Sequence, residues 1–227
     1  MFTLEEVVPW GRSFDEYCRM FALSGADLSG RILGCGDGPA SFNVEATRQG
    51  HHVISCDPLY RFDLAEIEER LAATYDHVLE QARQNAHEFV WGGAIRDIDE
   101  LGIVRLAAMR TFLADYEAGK QAGRYVDAAL PALPFADAAF DLALCSHLLF
   151  LYSTQLGDAF HHLALTDLCR VAAEVRVFPL LALGGVRSPF VDGCLAALEG
   201  AGFVATIERV PYEFQRGGNE MLRIRRR

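Results

Sequence analysis

Short apolar runs alternate with helix-patterned stretches along most of this chain, and that alternation limits the folds open to it. The runs are Arg31–Cys35, His52–Cys56, Phe140–Ser146, Glu174–Phe178, Phe203–Ile207 and Glu220–Ile224, with Arg124–Val126 a weaker seventh. Helical patterns lie between them. Asp63 and Glu66 have the spacing of a capping box. Leu64, Ile67, Leu71, Tyr75, Val78 and Ala82 follow at three- and four-residue intervals, one face of a helix. Asp99 is read as the cap of a second helix carrying Leu101, Val104, Met109, Phe112 and Tyr116, with Gly119 as its stop. A third helix is expected around 154–173, and Ser188-Pro189 reads as the start of a fourth ending near Gly200. Strands alternating with helices predict an α/β fold: a doubly wound, mostly parallel sheet with helices on both faces. Such sheets bind ligands beyond the carboxyl ends of their strands, where strand order reverses.

Composition narrows this further. The 227 residues are 51% hydrophobic and 23% charged, which suits one domain with a real core and excludes global disorder. No apolar run approaches the ~20 residues that a membrane span needs. The first residues carry acids where a signal peptide carries bases, so the expectation is a cytoplasmic protein without a membrane partner. A formal charge of -10 argues against sequence-independent nucleic-acid binding. The basic end from Arg223 to Arg227 is read as a solvated strand end. Cys18, Cys35, Cys56, Cys145, Cys169 and Cys194 form no C-x-x-C pair and no zinc-ligand spacing, so reduced thiols and no metal are expected. The pairs His51-His52 and His161-His162 are read as surface residues.

Three features carry chemistry. Gly34-Cys-Gly36-Asp37-Gly38 follows the first run and precedes a helical stretch, Ala40 to Arg48. Glycines there let the chain turn tightly and let a ligand approach the backbone. Asp57 closes the second run, 19 residues beyond Gly38, where a carboxylate can accept ribose hydroxyls. Leu133-Pro134-Phe135 and Phe140-Asp141 lead into the run that ends at Ser146-His147.

In this order and spacing the features resemble the class I S-adenosylmethionine (SAM) dependent methyltransferases, over about residues 31–225. Stretches such as ILGCGDGPASFN and LCSHLLFLYS look like a small, uncharacterised bacterial branch. The resemblance implies a seven-stranded Rossmann-like sheet with an antiparallel final strand, and SAM as cofactor. Gly34, Gly36, Asp37 and Gly38 would pass close to its methionine part. Asp57 would hold the ribose, Pro58 would lie near the adenine, and the segment with Ala129 and Leu130 would contact the adenine through its backbone. Ser146 and His147 would line the pocket near the sulfonium, with His147 the first candidate base and Tyr152 a second. The sequence departs from the family twice. Ile32 stands where the family usually has an acid two positions before the first glycine, and Ala129 where it often has one before L-P-F, with Asp127 two residues further back.

The resemblance therefore implies an enzyme: a methyltransferase moving a methyl group in line onto an acceptor. A small molecule is expected by elimination, and the atom methylated is not legible. Two other readings stay open: a SAM-binding sensor or scaffold without catalysis, and a dinucleotide-binding oxidoreductase. The last needs G-x-G-x-x-G, whereas here the third glycine comes one position early and Pro39 follows it. Residues 1–227 are read as one methyltransferase-like domain, with 1–30 an N-terminal helical cap and 58–123 a helical insertion between the second and third strands. That insertion carries a net charge of -5, from 12 acids and 7 bases. With residues 8–20 it is expected to cover the active site. Gly217-Gly218 implies a tight turn in the loop 212–219, whose Tyr212, Glu213, Gln215 and Asn219 are candidates to face the cleft.

Overall fold

The computed structural model describes residues 8–93 and 95–227. Its sheet has seven strands: β1 (Arg31–Cys35), β2 (His52–Cys56), β3 (Tyr125–Val126), β4 (Phe140–Ser146), β5 (Ala172–Phe178), β6 (Phe203–Arg209) and β7 (Glu220–Arg226). The helices are α1 (Phe14–Met20), α2 (Gly25–Leu28), α3 (Phe42–Arg48), α4 (Leu64–Gln84), α5 (Ile98–Gln121), α6 (Asp158–Val171) and α7 (Val191–Gly200). The strand order is β3-β2-β1-β4-β5-β7-β6. The first five strands run parallel, and β7 inserts antiparallel between β5 and β6. This is the expected mostly parallel, Rossmann-like α/β sheet. Its order reverses between β1 and β4, where a parallel sheet opens a crevice.

Both faces of the sheet are covered, which is why the strands read as nearly continuous apolar runs. Leu33, Ala143 and Val175 pack with α6 and α7, in a core that includes Leu165, Leu168, Cys194 and Leu198. Ile32, Leu142 and Leu144 point to the other face, against Tyr17, Met20 and Phe42 of α1 and α3. The cysteines are all free and, Cys18 apart, buried.

The capping box at Asp63 and Glu66 forms, and Ile67, Leu71, Val78 and Ala82 are the buried residues of α4. The cap of α5 is Asp97, not Asp99: Asp97 accepts from the Glu100 amide at 2.9 Å, and Glu100 reaches back to the Arg96 amide. The D-x-x-E spacing of residues 97–100 repeats that of 63–66, so the signal lies two residues before the expected cap. Gly119 does not stop α5, which runs to Gln121; Gly123, at φ +73°, follows the helix end. A Cβ on Gly119 would overlap the Tyr125 ring. Ser188-Pro189 also lies before its helix: the Ser188 hydroxyl meets Ser153 at 2.7 Å and accepts from the Phe190 amide at 3.3 Å in a turn, and α7 starts at Val191. The third helix is trimmed at both ends, to Asp158–Val171, because its expected tail is already β5. His161 is a further correction. It is fully buried, with ring nitrogens 2.9 Å from the carbonyls of Gly157 and Leu149. At the basic end, Arg223 and Arg225 both pair with Glu174 across β7 and β5.

Beside β3, Tyr60, Phe112, Tyr116 and Tyr125 form an aromatic cluster under α4 and α5, with ring centroids 5.2–6.1 Å apart. Removing a mid-helix glycine normally gains about 1 kcal/mol. At Gly119 the overlap with the buried Tyr125 ring outweighs that gain. Gly119→Ala is expected to lower stability by about 1–3 kcal/mol, read from the urea unfolding midpoint at unchanged slope.

Candidate functional site

The crevice at the β1/β4 reversal deepens into a cavity of about 690 Å³, within the range of ligand pockets. Its floor is the glycine loop. Gly36 (φ +69°) and Gly38 (φ +52°) both adopt the left-handed conformation, and a Cβ on Gly36 would press on Leu148. The Gly38 amide donates to Asp57 Oδ2 at 2.9 Å, and the Leu59 amide to Asp57 Oδ1 at 2.8 Å. Asp57 is thus fixed by backbone on both oxygens, with lone pairs still free to accept from a ligand. Burial, opposed by those amides, raises its pKa to about 6.

Asp37 lies deeper. Tyr17 donates to its Oδ1 at 2.7 Å and Ser55 to its Oδ2 at 2.5 Å. No arginine or lysine among the described residues pairs with it, and burial raises its pKa to about 7. Gly34 is absent from the cavity wall. It sits inside β1 beneath Asp37, where a Cβ would overlap the carboxylate. Its role is to let Asp37 fold back over the strand.

Gly36, Asp37, Gly38, Asp57, Pro58, Ala129, Leu130, Ser146 and His147 all line the cavity. His147 has φ +50°, a conformation that costs energy for a residue with a side chain, and its amide donates to Phe178 at 2.7 Å. Its Nδ1 lies 3.0 Å from the Ser146 hydroxyl, and its ring meets Phe178 edge-on. Burial, then Arg12 and Arg105, hold its pKa well below the usual value, so the imidazole is neutral at physiological pH. Tyr152 also lines the cavity, accepting from the Val8 amide at 3.2 Å.

The remaining wall was only partly legible. Trp10 and Arg12 come from the segment before α1, and Val78, Ala82 and Leu101 from α4 and α5. Phe89 and Phe214 stack at 4.9 Å and close the far side. Of the loop candidates, Gln215 lines the cavity. Tyr212 instead donates to buried Glu16 at 2.9 Å, while Glu213 accepts from Gly217 and Asn219 within the turn. Sequence reasoning missed Arg12, Tyr17, Glu16 and Arg105. An arginine two residues after a tryptophan carries no motif, and Arg105 is the one fully buried charge on a helix whose other charged residues are exposed or half-buried.

The protein is similar along its whole length to the uncharacterised protein MJ0045 of Methanocaldococcus jannaschii, 35% identical over 224 residues, 98% of each chain. The chain belongs to the family of that archaeal protein. The resemblance in sequence had pointed to a bacterial branch; this relative lies outside the bacteria. No known protein-family profile matches the sequence. Among solved structures, the magnesium protoporphyrin IX methyltransferase of Synechocystis PCC 6803 is similar at a TM-score of 0.49 and 11% identity. It is matched over 94% of this chain and 78% of that one. A SAM-dependent methyltransferase of Thermotoga maritima is similar at 0.46 and 13% identity, over 94% of this chain and 89% of that one. No helix of the described residues is long and apolar enough to cross a membrane.

Buried carboxylates make this site sensitive to pH. An unfolded aspartate ionises near pH ~3.9, whereas folded Asp57 and Asp37 ionise at about 6 and about 7. Across that window the folded chain holds protons that the unfolded chain has released, so stability falls as pH rises. Asp37→Asn is expected to flatten most of that decline, measured as the denaturation midpoint at steps between pH 4 and 8.

Proposed function

We propose that this protein is a SAM-dependent methyltransferase acting on a small molecule. The observation that carries the reading is the convergence of the glycine loop, Asp57 and Ser146-His147 on one cavity at the strand-order reversal. In this reading Asp57 accepts the ribose hydroxyls, with Pro58 and the 128–130 backbone against the adenine. Gly36 and Gly38 give the methionine part room beside the loop. Asp37 supports the assignment in a specific way. The position two residues before Gly34 is Ile32, buried in the core, so no acid is available there. Asp37, brought back over Gly34, supplies a carboxylate at the cavity instead, without a counter-ion of its own. A cationic ligand end complements it.

SAM supplies the reactive methyl carbon, and the chain's share is alignment and exclusion of water. Residues of the segments 8–12 and 61–89, with Leu101, Phe214 and Gln215, line the cavity on what we read as the acceptor side, which supports the reading of 58–123 as a lid-forming addition to a single domain. His147 takes the acceptor's proton. In the tautomer in which Nδ1 donates to the Ser146 hydroxyl, Nε2 carries the lone pair that accepts this proton. The depressed pKa keeps it unprotonated beforehand and lets it pass the proton on afterwards.

Asp57→Ala is expected to weaken SAM binding about tenfold or more, by calorimetry. Unchanged affinity overturns the cofactor assignment. Wild-type affinity for SAM should rise from pH 5 to 8, as Asp57 and then Asp37 ionise. Transfer of label from methyl-labelled SAM into a metabolite extract tests catalysis itself, and His147→Ala with full turnover overturns the role of His147.

A further inference from the structure

Near His147 the protein groups two arginines, one buried and one half-buried, around one buried carboxylate. Arg105 is fully buried on α5, and its Nη1 donates to Glu16 at 2.6 Å. Glu16 also accepts from Tyr212 at 2.9 Å and from the Ser13 amide at 3.0 Å. Burial opposes the Glu16 charge, yet Arg105 and Arg12 bring its pKa down to about 2, so it is an anion. Burial likewise opposes the Arg105 charge, but Glu16 holds it. Tyr212 is neutral, its pKa pushed up to about 12 by burial and Glu16. One carboxylate therefore serves two arginines.

Arg12 is the unmatched one. It lines the cavity, its Nη1 donates to the Trp10 carbonyl at 3.2 Å, and it pairs with no carboxylate among the described residues. Its Nε is buried without a hydrogen-bond partner, as are Nε and Nη2 of Arg105 behind it. Arg12 is half-buried, and a guanidinium partly withdrawn from water without a counter-ion carries a cost that is recovered when an anion arrives. Arginine is suited to a planar carboxylate, which it can hold by two parallel hydrogen bonds. Much of the same cavity is apolar, with Trp10, Val78, Leu101, Phe89 and Phe214 in its wall, so one compact anionic group on an otherwise apolar ligand fits it.

We infer that Arg12 is an anion-binding subsite of the cavity, which takes a carboxylate next to His147, beside the Glu16–Arg105–Tyr212 cluster. The inference rests on the methyltransferase reading only for the source of the carboxylate. Two ligands can bring one: the methyl acceptor, or the amino-acid end of the cofactor.

The test measures binding to wild type, Arg12→Gln and Arg12→Lys by calorimetry, with unfolding temperature as a check on the fold. S-adenosylhomocysteine carries the carboxylate, and 5′-methylthioadenosine is the same nucleoside without it. Benzoate, added to protein saturated with S-adenosylhomocysteine, is the probe for an apolar acceptor acid. An acceptor subsite predicts that wild type binds benzoate and that Arg12→Gln loses it about tenfold or more, with Arg12→Lys recovering part. A cofactor subsite predicts the same loss for S-adenosylhomocysteine and none for methylthioadenosine. Equal affinities of wild type and Arg12→Gln for S-adenosylhomocysteine, with benzoate unbound or unaffected, overturn the inference. If Arg12→Gln does not fold, benzoate and methylbenzoate are compared on wild type, and equal affinity for acid and ester overturns it. Failure of wild type to bind either nucleoside sinks the methyltransferase reading instead, and benzoate binding to the free protein then still tests Arg12.

Discussion

The buried ion pair between Glu16 and Arg105 ties together parts of the chain that the sheet alone would leave apart. Glu16 belongs to α1, Arg105 to α5, and Tyr212, which shares the Glu16 carboxylate, to the loop between β6 and β7. None of these elements is a neighbour of the other two in sequence. Removing either charge would leave the other stranded in a dry interior, a penalty of about 3–5 kcal/mol. The cavity therefore has a rigid back wall made from an N-terminal helix, a long central helix and a C-terminal hairpin. The glycine loop and the ends of β1 and β4 form its floor independently of that wall.

Most of the scaffold was legible because each signal is local. Apolar runs between breakers mark strands, and an acid three residues before a glutamate marks a helix start. Where the reading slipped, a tertiary contact had claimed the residue concerned. Gly119 looks like a stop, yet it is the place where α5 passes over the Tyr125 ring. Ser188 looks like a cap, yet its hydroxyl is shared between Ser153 and the Phe190 amide, and the helix starts only at Val191. His161 looks like half of a surface pair, yet its ring spans two carbonyls in the core. In each case the residue type suited two jobs and only packing chose between them.

The site divides in the same way. The floor follows from motif spacing, and of its expected residues only Gly34 stays off the cavity surface, below the Asp37 carboxylate. The wall does not follow from spacing, because Arg12, Val78, Phe89 and Phe214 meet only through the tertiary fold. Asp37 is the instructive middle case. It is visible in the loop, but its two hydroxyl donors come from Tyr17 and Ser55, on either side of it in sequence.

The far side of the cavity is stitched by backbone. The Val90 amide donates to Phe214 at 2.8 Å, the Arg216 amide donates to Glu88 at 2.8 Å, and Phe89 bridges Gln215. These contacts join segments more than a hundred residues apart, and the later one belongs to the last hairpin of the chain. Without β7, β5 would be an unprotected edge and Phe89 would lose the Phe214 ring it stacks on, keeping its edge contact with Trp91. Without the β6–β7 loop the cavity would lose Phe214 and Gln215 from its wall, so this side of the site depends on a hairpin far in sequence from the glycine loop.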